Sequence, residues 1–119
     1  MSTKSTGNYG EDLACNFLKE QGYKILERNY RIRGGEIDIV ARDKDVLAFV
    51  EVKTRYSHEY GLPAEAMTYF KIKALLKTVQ FYLSQYHLFD KPYRLDFISV
   101  DFTDNKSNPN IELIKNITG

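Results

Sequence analysis

Two carboxylates and one amine sit at spacings that suit phosphate chemistry: Asp38, Glu51 and Lys53. Asp38 lies in the run Glu36-Ile-Asp-Ile-Val-Ala-Arg42. The other two lie in Val46-Leu-Ala-Phe-Val-Glu-Val-Lys-Thr54. Both runs are rich in branched and aromatic residues, and Asp43-Lys44-Asp45 punctuates between them, so together they read as a β-hairpin. Side chains alternate across a strand. This sets Phe49, Glu51 and Lys53 on one face and Ala48, Val50 and Val52 on the other. In the first strand Glu36, Asp38 and Val40 point away from Ile37, Ile39 and Ala41. With Lys44 and Asp45 as a two-residue turn, Asp43 pairs with Val46 and Asp38 falls opposite Glu51.

Opposed Cβ atoms stand about 4.5–5.5 Å apart, so two ionised carboxylates there repel unless a cation joins them. Hard oxygen donors favour Mg2+ or Mn2+, whose shell is completed by water and substrate phosphate. The Val52 carbonyl could add one more oxygen. Such an ion lowers the pKa of water and stabilises a phosphorane-like transition state. Lys53 could orient or deprotonate the attacking water, or neutralise charge on a phosphate oxygen. The same residues also admit a plain cross-strand ion pair between Asp38 and Lys53 facing solvent, worth roughly 0–1 kcal/mol. Against that, both faces of the second strand carry apolar residues, as in a strand covered on both sides. Ions buried there need partners or a metal.

The elements that must position these groups follow from periodicity. From about Gly10 to Gln21, Leu13, Ala14, Phe17 and Leu18 share one helical stripe, with Glu11 at its edge and able to look inward. Gly22 is a left-handed C-terminal cap. Tyr23 to Arg31 is extended, Arg33-Gly34-Gly35 is a turn, and Arg55 to Pro63 is a loop. A second helix starts at an N-capping Thr68 and runs to about Tyr86. Its expected buried stripe is Phe70, Ala74, Leu75, Thr78, Tyr82 and Leu83, with Lys73, Lys77 and Gln80 on a more polar side. Asp90-Lys91-Pro92 breaks the pattern, Tyr93 to Phe102 alternates like a strand, and Ile111 to Ile117 is a last strand. This order predicts an α/β or α+β sheet with helical cover.

At 119 residues the chain fits one domain, with residues 1–8 expected as a flexible N-terminus. A net charge of +1 does not announce a nucleic-acid binder, so phosphate contacts must come from local clusters. Lys24, Arg28, Arg31 and Arg33 form one cluster; Lys71, Lys73 and Lys77 form another. Either reads equally as a solvated face. No apolar run approaches the roughly 20 residues of a membrane span, and the polar opening is no secretory signal, so the expected location is cytoplasmic. Cys15, alone, reads as a packed free thiol. His58 and His87 lie in separate segments without metal-ligand spacing and read as loop or surface residues. Asp96 reads as facing solvent or pairing with Arg94. Most of the tyrosines fall on stripes that read as core rather than as base-stacking platforms.

Gly35-Glu36-Ile37-Asp38 followed by Phe49-Val50-Glu51-Val52-Lys53-Thr54-Arg55 resembles the Asp…Glu-x-Lys core of the PD-(D/E)XK nuclease superfamily. The fuller set adds Gly10-Glu11 with Ala14, Asn29-Tyr30-Arg31, and Arg94-Leu95-Asp96, and is similar to the YraN-like family of bacterial proteins across nearly the whole chain. Ile37 stands where a proline commonly precedes the aspartate, and the second helix lacks a clean Gln-x-x-x-Tyr pair, although Gln80 lies on its polar side.

The resemblance implies a mixed central sheet flanked by helices in a single domain, restriction-endonuclease-like and close to the archaeal Holliday-junction resolvases. It implies catalytic roles for Asp38, Glu51 and Lys53, and metal ligation of Mg2+ or Mn2+ by Asp38, Glu51 and the helix-borne Glu11. The expected nucleic-acid contacts are Arg31, Arg33, Arg55, Lys73 and Lys77. The expected activity is hydrolysis of phosphodiester bonds in DNA rather than RNA, on branched or structured substrates, by a homodimer and with no membrane partner. Two other readings stay open. One is a nucleic-acid-binding module of the same fold that turns nothing over. The other is a structural or partner-binding domain.

Overall fold

Along the chain run α1 (Thr3–Glu20), β1 (Lys24–Ile32), β2 (Gly35–Asp43), β3 (Val46–Arg55), α2 (Tyr69–Gln85), β4 (Tyr93–Asp101) and β5 (Asn110–Ile114). This is a computed structural model, and it describes residues 3–57 and 67–118. The five strands form one sheet in the order β1-β2-β3-β4-β5. The pairs β1–β2, β2–β3 and β4–β5 are antiparallel, whereas β3 and β4 are parallel. A parallel pair needs a long crossover, and α2 lies within it. The sheet is therefore mixed, as expected, and β3 is its middle strand.

Two apolar layers sandwich the sheet. On one face Ala14, Cys15 and Leu18 of α1 pack with Ile39, Ala41, Ala48, Val50, Ile98 and Val100. On the other, Val79, Tyr82 and Leu83 of α2 pack with Val40, Leu47, Phe49 and Leu95. The residues of β3 thus alternate between the two cores, which explains why it is apolar on both faces. Cys15 is buried in the first layer, as a packed thiol should be, and burial pushes its pKa up.

Both expected helix caps are present. Gly22 adopts φ 93°, and the Tyr23 N–H donates to the Leu18 carbonyl at 2.9 Å, which satisfies the last turn of α1. Thr68 caps α2, its hydroxyl accepting from the Lys71 N–H at 3.2 Å. α1 begins at Thr3 rather than near Gly10, so the helix takes in most of the segment expected to be a flexible N-terminus. The buried stripe of α2 differs from expectation. It consists of Thr78, Val79, Tyr82 and Leu83, joined by the half-buried Ile72, Leu75 and Leu76. Phe70, 80% exposed, and Ala74 lie outside it. Ile72, Leu76, Val79 and Leu83 recur at the helical period and seat the helix rotated away from the Phe70–Ala74 line.

Candidate active site

The hairpin turn has the expected register, with Asp43 opposite Val46 and Lys44 at φ 57°. Pairing continues to Ile39–Val50 and then stops, one step before Asp38 would meet Glu51. On its other side β2 pairs Arg28–Ile39 and then Tyr30–Ile37, passing over Asn29 and Asp38. Asn29 sits at φ 55°, a left-handed conformation that asparagine tolerates better than most residues. The β2–β3 ladder therefore ends just before Asp38, and the β1–β2 ladder skips the Asn29–Asp38 pair while keeping its register. The expected alternation fails here too, because Ile37 joins the α2-side core while Ile39 and Ala41 join the α1-side core. Freed from regular pairing, the Asp38 carboxylate accepts the Val52 N–H at 2.8 Å.

Asp38 and Glu51 are half-buried neighbours, close enough for each carboxyl to act on the other. Burial, then the charge of Glu51, pushes the Asp38 carboxyl up to about 8. Glu51 is also raised by burial, held back by its contact with Asp38 and by the charges of Lys53 and then Lys71. Two adjacent carboxyls are a donor set that a hard divalent cation fits, with oxygen chemistry suited to Mg2+ or Mn2+. Among the described residues, however, no three or more His, Cys, Asp or Glu side chains gather closely enough to hold a metal by themselves.

Glu11 therefore stands beside the pair rather than completing it. It lies 3.8 Å from Arg28, which is more tightly bound to Asp12 at 2.8 Å. The Asn29 amide, with its nitrogen turned toward the acids, donates to Glu11 Oε1 at 3.0 Å and Glu36 Oε1 at 3.3 Å. Burial and the nearby charge of Asp38 raise the pKa of Glu11, so it does belong to the same electrostatic cluster. Two glycines let the helices approach this cluster. A Cβ at Gly10 would collide with the Thr54 hydroxyl, and one at Gly35 with the Thr78 hydroxyl. Each precedes a cluster carboxylate, Glu11 or Glu36.

A cleft of about 190 Å3 opens here between the sheet and α2, lined by Gly35, Glu36, Glu51, Lys71, Ala74, Leu75 and Thr78. Strand alternation alone singles out neither Glu36 nor Lys71: Glu36 is one of several residues on the Asp38 face, and Lys71 sits in a lysine cluster that reads equally as a solvated face. Of the expected phosphate contacts, Arg31 pairs with Glu36 at 3.3 Å, near the cleft. Arg33 is exposed in the β1–β2 turn. Arg55 is half-buried at the end of β3, its Nε without a hydrogen-bond partner among the described residues. Lys73 and Lys77 lie on the exposed side of α2 and do not line the cleft.

Other residues fall elsewhere. Gln80 donates to the Tyr93 hydroxyl at 3.2 Å on the surface. His87 is exposed just past α2, and His58 lies outside the described residues, as does most of the loop expected from Arg55 to Pro63. Asp96 does not face solvent. It is fully buried, bonded to Arg94 Nε at 2.9 Å, the Tyr23 hydroxyl at 3.0 Å and the Asn116 N–H at 2.9 Å. Arg94 also reaches Asp43 at 2.7 Å, so its pairing with Asp96 is part of a closed structural network.

The comparisons with known proteins agree on family. Over 114 residues the chain is 46% identical to a UPF0102 protein of Clostridium botulinum (strain Loch Maree / Type A3), covering 95% of this chain and 93% of that one. Over 116 residues it is 44% identical to a UPF0102 protein of Dehalococcoides mccartyi, covering 98% and 94%. A family model matches residues 10–100, a span that holds Glu11, Asp38, Glu51 and Lys53 together; the chain belongs to the uncharacterised protein family UPF0102.

Proposed function

We propose that this protein is a metal-dependent nuclease acting on DNA, with Asp38, Glu51 and Lys53 as its reacting centre. The observation that carries the reading is the pairing of two half-buried carboxyls, Asp38 and Glu51, where β2 leaves β3, with Glu51 opening on a cleft that Lys71 also lines. Two neighbouring carboxyls that raise one another's pKa cost stability, and one of them, Glu51, opens on a cleft, an arrangement that points to chemistry. A Mg2+ or Mn2+ ion at Asp38 and Glu51 would supply Lewis-acid activation of water and of the scissile phosphate. Asp38 is oriented for that task by the Val52 N–H. The Lys53 ammonium, whose charge already acts on Glu51, would orient the attacking water or neutralise the phosphate. Glu11, tethered by Arg28 and Asn29, adds negative charge from α1 and would hold water at the edge of the ion's shell. Arg31, Arg33 and Arg55 would contact the backbone of the substrate.

The test is to incubate the protein with single-stranded, duplex, flap and four-way-junction DNA, and with RNA, in Mg2+ or Mn2+. Wild type is expected to cut at least one DNA, and Asp38→Ala and Lys53→Ala to cut none. Equal cleavage by all three proteins would mean a contaminant and end the claim. Binding without cleavage in either metal would favour a silent nucleic-acid-binding module instead. Independently, Mn2+ should raise the Tm of wild type but not of Glu51→Ala.

A further inference from the structure

The outward face of α2 carries Tyr69, Phe70, Lys73, Ala74, Lys77 and Phe81, all exposed. Tyr69 is 70% and Phe70 80% exposed, well beyond what a stripe destined for the core would show. Their rings contact edge to face at 5.6 Å, and the Lys73 ammonium lies 5.8 Å from the Tyr69 ring centre. Helix spacing sets Phe70, Lys73, Ala74, Lys77 and Phe81 along one line. No Asp or Glu occurs anywhere in α2, which carries three lysines. Since the chain as a whole is only +1, the remainder is net acidic and this helix is a local positive stripe. The stripe borders the cleft, because Ala74, on the same line as Phe70, lines the cavity that also holds Glu51.

An occupant of this face must be anionic along its length and must offer flat apolar surfaces. We infer that Tyr69 and Phe70 form a stacking platform for unpaired bases of a DNA strand, with Lys73 and Lys77 on its phosphates, beside the cleft. In a duplex the base faces are hidden, so exposed rings gain little from it. In single-stranded DNA every base presents a face to stack on. The inference rests on the nuclease reading for the fate of the strand, and it gives that reading a substrate class: DNA with a single-stranded stretch next to the scissile bond. Two exposed rings are otherwise an aggregation liability, and the flanking lysines keep them wet until a strand arrives.

The test is fluorescence anisotropy with a labelled oligo(dT) of about 20 nucleotides, long enough to exceed the roughly 4–16 nucleotides of a single-strand site, and a duplex of equal length. Low salt and EDTA ensure tight phosphate contacts and no cutting. Wild type is expected to bind the single strand more tightly. Tyr69→Ala/Phe70→Ala should weaken that binding by roughly 10-fold or more, at about a factor of 5 to 150 per stacked base, and leave duplex binding unchanged. Tyr69→Phe/Phe70→Tyr should restore it, since only the aromatic face is needed. Lys73→Ala/Lys77→Ala should instead flatten the salt dependence. Equal affinity for single strand and duplex, or an unchanged affinity in the Tyr69→Ala/Phe70→Ala protein, overturns the platform. The readout does not depend on hydrolysis. If no metal supports cleavage but the ring-dependent preference is found, the nuclease reading falls and the platform stands. If cleavage is found and the preference is not, the platform alone falls.

Discussion

Replacing Asp38 by asparagine should make the metal-free protein more stable while removing its proposed activity. The two side chains have nearly the same shape. An asparagine oxygen can still accept the Val52 N–H, and its amide can donate to the neighbouring Glu51. What changes is the proton. With Asp38 pushed up to about 8 from an ordinary 3.8, the folded protein at pH 7 retains a proton that the unfolded chain has released. At about 1.36 kcal/mol per pH unit this amounts to on the order of 4 kcal/mol, an upper limit because the titration is shared with Glu51. About 1–3 kcal/mol is expected in practice, or several degrees in Tm for a chain of this size.

The pH dependence carries the sign. Between about pH 4 and pH 8 the native state binds more protons at this site than the unfolded state, so wild-type stability falls as pH rises. The carboxamide introduced by Asp38→Asn does not titrate. The advantage of the variant should therefore be small at about pH 4, widen toward about pH 8 and level off above it. Urea unfolding in EDTA across this range measures the gap directly. A variant less stable than wild type at about pH 8, or a gap that does not move with pH, would refute the argument that a half-buried carboxyl pair strains this site.

Two further expectations concern the scaffold around it. Gly10→Ala should lose about 1–3 kcal/mol, because its methyl meets the Thr54 hydroxyl; Thr54→Ala should recover most of the loss in the double variant, measured as a thermodynamic cycle. Arg94→Ala should lose about 3–5 kcal/mol by stranding buried Asp96, whereas Lys115→Ala, on a 54% exposed side chain, should lose less than about 1 kcal/mol by denaturant midpoint.

The hairpin, its turn, the caps at Gly22 and Thr68 and the two-sided apolar character of β3 were all legible along the chain. Each rests on neighbours a few residues apart: a period of two, a two-residue turn, a hydroxyl three residues from the N–H it accepts. The juxtaposition of Asp38 with Glu51 was legible for the same reason, since the turn counts the residues between them. The irregular pairing around Asp38 was not. It depends on the left-handed Asn29 in a neighbouring strand and on the Val52 N–H that Asp38 takes. Nor was the depth of Asp96, whose partners Tyr23 and Asn116 lie far away in sequence and meet only when β1 and the C-terminal segment converge.

The amino-acid sequence by itself determined which elements form and that Glu51 and Lys53 share a face of β3, because those outcomes follow from short-range periodicity and turn chemistry. Tertiary structure alone decided that Lys71 and Glu36 rim the cleft, that Glu11 stands beside the carboxyl pair, and that Tyr69 and Phe70 are left outside the core. These depend on the rotation at which each helix settles on the sheet. That angle is chosen by the packing of distant side chains, which no local pattern records.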